Sequence, residues 1–359
     1  MNIKKLLRQF FQRRHSKKTL GFTLIELLVG MILAFLVIAP LLGFMVNVLD
    51  SDNREQSKAS TEQEVQAALD YIARDLQQAI YIYGVKALTN NSGTTELSGI
   101  RDQIPPTQPA PGCNSSNAST CIPILAFWKR QLIEAAEKDS GVNPYVYSLV
   151  VYYQIIGNQG SNTWSNSSRI GRFEIRDGVR KSPPPIDGSS VYAKESDPEM
   201  GIDDAFALFK IDRNIGSLDT NMNSWKKGTG TYSAPVATLV DYIDQSEWKS
   251  NSTSSINTSG LQCPINPSTV STTNPNGTPL GRIPNGDSTL GATSKVLGFY
   301  SCVDSSLWVA QVFIRGNAMF RFKAGCKPNN TECQYSENNR TFFPRSTVQV
   351  RGQGFLDVQ

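Results

Sequence analysis

The chain has 359 residues, 39% apolar and 18% charged, with a formal charge of +4 at pH 7. Those proportions exclude a multispanning membrane protein, a collagen-like repeat and a chain too polar to build a core. Lys4, Lys5, Arg8, Arg13, Arg14, Lys17 and Lys18 lie in residues 1–21 with no acid, so residues 22–359 carry −3. The basic balance belongs to a short tail, and a nucleic-acid partner for the whole chain loses its support. The only histidine is His15. Anything built on residues 22–359 therefore lacks Ser-His-Asp or Cys-His nucleophilic chemistry and any His-containing zinc site.

Residues 22–48 contain one charge, Glu26. As a helix they extend about 40 Å at 1.5 Å per residue, enough to cross a ~30 Å hydrocarbon core. The cations before them predict a single pass with the tail in the cytoplasm and the C-terminal mass sent outward. Phe44-Met45-Val46-Asn47-Val48 offers no small-x-small site for an ordinary signal peptidase, and the first cysteine, Cys113, is too distant for a lipobox. The remaining junction for processing is Gly21-Phe22, just before the apolar stretch. Glu26 lies near the membrane interface, where a hydrated carboxylate costs less than at mid-bilayer. Pro40 and Gly43 interrupt the segment; Pro40 has no N–H for the carbonyl of Leu36, which predicts a kink.

From residue 49 the pattern becomes polar and amphipathic. Val65, Leu69, Ile72, Leu76, Ile80 and Tyr83 share one helical face, and Gly84 reads as the residue that ends the helix. Glu62, Glu64, Asp70 and Asp75 read as a solvated face. Residues 85–359 have a different texture. Candidate strands are 145–156, 170–176, 205–211, 236–243, 307–315, 319–323 and 348–350, rich in β-branched and aromatic residues and bounded by Gly, Asn, Pro and Ser. Residues 125–138 read as one short helix. Residues 249–298 have no aromatic side chain and read as a long loop. The expected class is α+β: a long N-terminal helix, half membrane-spanning and half amphipathic, packed on a mostly antiparallel β-rich domain.

Six cysteines, Cys113, Cys121, Cys263, Cys302, Cys326 and Cys333, lie outside the apolar segment, and none forms C-x-x-C. The even count points to disulfides in an oxidising compartment, although six cysteines allow fifteen pairings. Short loops closed by Cys113–Cys121 and Cys326–Cys333, with Cys263 tethered through Cys302, are the candidates. The acidic pairs Asp203-Asp204 and Asp241…Asp244 lack the alternating oxygen ligands of a calcium loop and read as surface acids. Tyr145, Tyr147, Tyr152 and Tyr153 have the chemistry to stack on sugars, but an aromatic-rich strand is more often core. No P-loop, dinucleotide fingerprint, metal set, cofactor site or catalytic constellation is visible, so an enzyme is not expected.

The run Gly21-Phe22-Thr23-Leu24-Ile25-Glu26-Leu27-Leu28-Val29, with its basic leader (residues 1–21), resembles the cleavage and methylation motif of type IV prepilins and secretion-system pseudopilins. The resemblance implies cleavage by a prepilin peptidase between Gly21 and Phe22 and N-methylation of Phe22. It also implies an assembly role for Glu26, paired with the new N-terminal amine of a neighbouring subunit. Pro40 and Gly43 would then mark a helix break that unwinds as the subunit leaves the bilayer. Residues 62–79 are similar to the larger J-type minor pseudopilins. Residues 41–83 and 342–356 are similar to pseudopilins of hormogonium polysaccharide secretion in filamentous cyanobacteria. The likeness implies a minor pseudopilus subunit serving polysaccharide secretion and gliding motility. Its implied partners are other pilins or pseudopilins, the prepilin peptidase, the membrane, an assembly platform with its ATPase, and the exported polysaccharide. A pilus-tip adhesin for a glycan or surface is the second function class that fits these residues.

Overall fold

A computed structural model describes residues 21–114, 120–138, 141–157, 163–194, 197, 199–212, 214, 216–246, 263–266, 278–284, 297–327 and 330–354. The basic leader with His15, most of the expected 249–298 loop, and Phe355 and Leu356 lie outside them. The chain divides into two compact units, residues 1–53 and 54–359. Helix α1, Leu24–Gln77, begins in the first and ends in the second.

In the second unit, α1 buries Ser57, Thr61, Val65, Leu69, Ile72 and Leu76, the spacing of one helical face. The helix stops at Gln77, short of the expected 84. Ala79–Ile82 is instead a fully buried strand, β1. Ile80 and Tyr83 fit the helical stripe by number alone. The run Ala79-Ile80-Tyr81-Ile82 favours a strand, and it pairs antiparallel with the next one through Tyr81↔Trp128 and Ile82↔Phe127. Gly84 does not end α1; it precedes the short helix α2, Val85–Thr89.

The expected helix over 125–138 is also corrected. Cys121–Leu132 is the strand β2, followed by one helical turn, α3, Glu134–Glu137. β3, Val142–Asn143, leads to β4, Tyr145–Ile155, then β5, Ser168–Arg176, β6, Arg180–Lys181, the helix α4, Leu218–Asn223, and β7, Ala237–Ile243. The main sheet is antiparallel with order β1-β2-β4-β5-β7. β2 is central, and an apolar run buried on both faces does not reveal its period. Neighbouring side chains of a strand point to opposite faces. Accordingly Lys129 reaches Asp75 of α1, while Trp128 meets Phe206, Phe209 and Trp225 on the other side. Those partners explain why 205–211 is not a strand. Its aromatic residues cap the sheet by ring contacts and take no place in a ladder.

A second antiparallel sheet has the order β10-β11-β12-β13, comprising Gly281–Ile283, Phe299–Asp304, Val309–Arg315 and Arg345–Arg351. Its first strand lies inside the stretch expected to be loop, where β8, Ile265–Asn266, also pairs with β9, Thr278–Pro279. Residues 319–323 are not a strand: Met319–Phe322 forms a helical turn, α5, that buries Met319 beside Cys326, Cys333 and Phe343. The sheets are stitched together by buried polar groups. The Gln154 amide donates to the Asp244 carbonyl at 2.9 Å and accepts from the Phe299 N–H at 3.1 Å, and the Ser301 hydroxyl donates to the Ile124 carbonyl at 2.7 Å. Gly316, just past β12, lies so near α1 that a Cβ there would be 2.5 Å from the Thr61 methyl. Only glycine allows that approach.

Candidate assembly segment

Gly21, Phe22 and Thr23 precede α1 outside its helical hydrogen bonding. The Thr23 hydroxyl accepts from the Glu26 N–H at 3.3 Å and its carbonyl from the Leu27 N–H at 3.1 Å, so Thr23 caps the helix. Glu26 therefore stands in the first turn, where the free N–H groups and the helix dipole favour an anion. Thr23-x-x-Glu26 has the spacing of a capping box, a signal that the sequence reading did not use. The structure thus brings Gly21, Phe22 and Glu26 together on one short stretch. The Gly21–Phe22 peptide bond is clear of the helical ladder, and Phe22 is exposed.

Every residue from 21 to 53 is exposed, including Leu28, Phe35, Leu36, Leu42 and Phe44. A helix apolar on all sides has no face patterned for packing on one side and water on the other. α1 is long and apolar enough to cross a membrane. α1 continues as helix through Pro40 and Gly43. Proline removes one hydrogen bond, and the adjoining turns keep theirs.

The six cysteines form Cys113–Cys121, Cys263–Cys302 and Cys326–Cys333. The longest closure ties Cys263 to β11, the strand that follows the aromatic-free stretch.

Two acids expected at the surface are buried. Asp75 accepts from Lys129 Nζ at 3.0 Å, Tyr152 Oη at 2.7 Å and Arg172 Nε at 2.8 Å. Glu174 pairs with Lys129 at 3.1 Å and Arg172 at 2.6 Å, completing two anions against two cations between α1 and the sheet. Burial pushes the Asp75 carboxyl up, but Arg172, Lys129 and Tyr152 together outweigh it and hold it below its ordinary value. Glu174 is lowered despite its burial by the same two cations. Asp244 is fully buried, bonded by Arg315 Nε at 2.7 Å, whereas Asp241 accepts from the Ser165 hydroxyl at 2.7 Å and its N–H at 2.8 Å. Asp203 accepts from the Arg176 N–H at 2.7 Å, while Asp204 stays exposed. These acids hold the fold together.

The four tyrosines are not a sugar platform. Tyr152 and Tyr153 are fully buried, and Tyr145 lies under the Arg130 guanidinium. Among the described residues, no group of three or more His, Cys, Asp or Glu side chains is gathered as a metal site. The chain matches no protein-family model, no curated protein and no solved structure.

Proposed function

We propose that this chain is a minor pseudopilin: a membrane-anchored subunit, cut at Gly21–Phe22 and methylated on Phe22, that assembles through residues 22–50 into a short pseudopilus serving polysaccharide secretion. The observation that carries the reading is the exposed segment 21–53. From Leu27 to Val46 it is apolar on every side, and its first turn holds a single acid just after a non-helical glycine–aromatic junction. Such a segment needs lipid before assembly and neighbouring helices after it. In a bundle of like helices the Glu26 carboxylate would otherwise lie unpaired in a low dielectric, and the cleaved amine of a neighbour is a cation of suitable size. The prepilin-like motif supports the same reading from the sequence side.

The size of the second unit bears on position in the fibre. A compact unit of residues 54–359 has a radius of gyration of about 19 Å, hence a diameter of about 50 Å. Fibre helices pack about 8–10 Å apart. A head of that size on every helix would crowd the fibre surface, whereas one at the tip would not. The subunit is therefore minor and tip-proximal, in contact with smaller pseudopilins. Single cysteines along 22–50, crosslinked in membranes and counted by quantitative proteomics, test this. Crosslinks to smaller pilin-like subunits at low stoichiometry support it. Abundance equal to the main fibre protein, or crosslinks to itself alone, would refute it.

A further inference from the structure

A cleft of about 410 Å³ opens where α2, α4, β10 and the end of β11 meet, and its lining includes none of the residues of the buried charge network. Its volume is in the range of small-ligand sites, ~300–1,000 Å³. We propose that this cleft binds a neutral saccharide of one or two residues.

Asn223 is the first support. It lines the cleft and is 6% exposed, and its side-chain carbonyl oxygen is buried with no hydrogen-bond partner among the described residues. A buried acceptor left unpaired is costly, so an orphan on a residue that lines a cleft points to a donor from outside the protein, reached by a small side-chain rotation. The charges narrow the class of that donor. Lys86 faces Glu96, Asp219 and Asp304, a net −2 that disfavours phosphates, sulfates and uronates. Two of the three carboxylates, exposed Asp219 and buried Asp304, are already engaged by the protein's own donors. Asp219 accepts from Tyr81 Oη at 2.8 Å and Ser305 Oγ at 3.2 Å, and Asp304 from the Ser306 N–H at 2.9 Å. Glu96 is the one carboxylate of the three left open to an ammonium ligand, which would also meet repulsion from Lys86 at the rim.

What stays open is a neutral acceptor, Asn223, and a cationic donor, Lys86, above an apolar edge formed by Val85, Leu280 and Val303. A sugar hydroxyl donates and accepts at once, and the C–H face of the ring suits the apolar edge. The inference does not rest on the pseudopilin reading, because processing and assembly involve other residues.

The test uses the full chain in lipid nanodiscs, free of sugar-based detergent, with saturation-transfer NMR and titration. Probes are neutral hexoses, N-acetylhexosamines and their disaccharides, with glucuronate and putrescine as charged comparators. Neutral sugars should bind and the charged probes should not. Asn223→Leu should weaken binding at least tenfold with the melting temperature unchanged or raised, since an orphan acceptor has gone. Lys86→Met, at an exposed position, should weaken it severalfold and decides the matter if the first variant folds poorly. Absence of binding by every neutral sugar, stronger binding of glucuronate or putrescine, or unchanged affinity in the folded variants would overturn the proposal.

Discussion

Removing the Asp75 carboxylate should destabilise the protein by about 3–5 kcal/mol, the cost of leaving buried cations uncompensated. Asp75 receives bonds from Lys129, Arg172 and Tyr152, at side-chain exposures of 6% for Lys129, 14% for Arg172 and 10% for Asp75 itself. In Asp75→Ala, Glu174 alone faces both cations, so one positive charge stays buried without a partner. Removing that cation too, in Asp75→Ala/Lys129→Met, leaves Arg172 and Glu174 paired at 2.6 Å. Much of the loss should then return, as a coupling of about 1.5–3 kcal/mol in the double-mutant cycle. The assay is urea unfolding of the full chain in micelles, followed by the fluorescence of buried Trp128. Acid should act like the mutation. Asp75 and Glu174 have folded pKa values below their unfolded ones, so their stabilisation is present above about pH 4 and is lost as pH falls through the folded values. Asp75→Ala should flatten that dependence. A cost under about 1 kcal/mol, or additive single effects, would refute the claim that these charges act as one buried unit.

Two other perturbations have directions fixed by geometry. Glu26→Leu should insert and be cut as before but should assemble poorly, read as normal N-terminal mass with few fibres; normal fibre numbers would make Glu26 only a first-turn acid. Among the disulfides, Cys263–Cys302, with a separation of 39, should matter more than Cys326–Cys333, with a separation of 7. The chain-entropy relation gives about 4 against about 2.5 kcal/mol, and urea midpoints of the paired Cys→Ser variants would contradict it if the order reversed.

The apolar segment and the antiparallel strands β4, β5 and β7 were legible in the sequence because each rests on local pattern; the cysteine pairs could be named only as candidates among fifteen pairings. Long-range pairing was not. Asp75 sits among Gln, Arg and Asp on a helix that reads as a polar face, and only the sheet supplies the Lys129, Tyr152 and Arg172 that draw it inside. β2 was taken for a helix because its central position buries both faces and erases the period-2 alternation. Ile80 and Tyr83 fit a helical stripe and a strand equally well, and the ladder with β2 decided for the strand. β11 was missed beside a long polar stretch, and Met319–Phe322 was misread because its β-prone aromatics pack on a disulfide-closed lobe. The start of the assembly segment was readable from its motif, yet the Thr23 cap that holds Glu26 in the first turn was not noticed.

The central claim is the proposal that the chain is processed as a pilin-like subunit at the non-helical junction before α1. Mass spectrometry of the N-terminal peptide from membrane fractions of producing cells tests it most directly. The account predicts a chain that begins at Phe22 with one methyl group on its amine, and predicts that a bulky residue in place of Gly21 leaves residues 1–21 attached. A native chain that begins after Val48, or that keeps residues 1–21 with an unmodified Phe22, would contradict it.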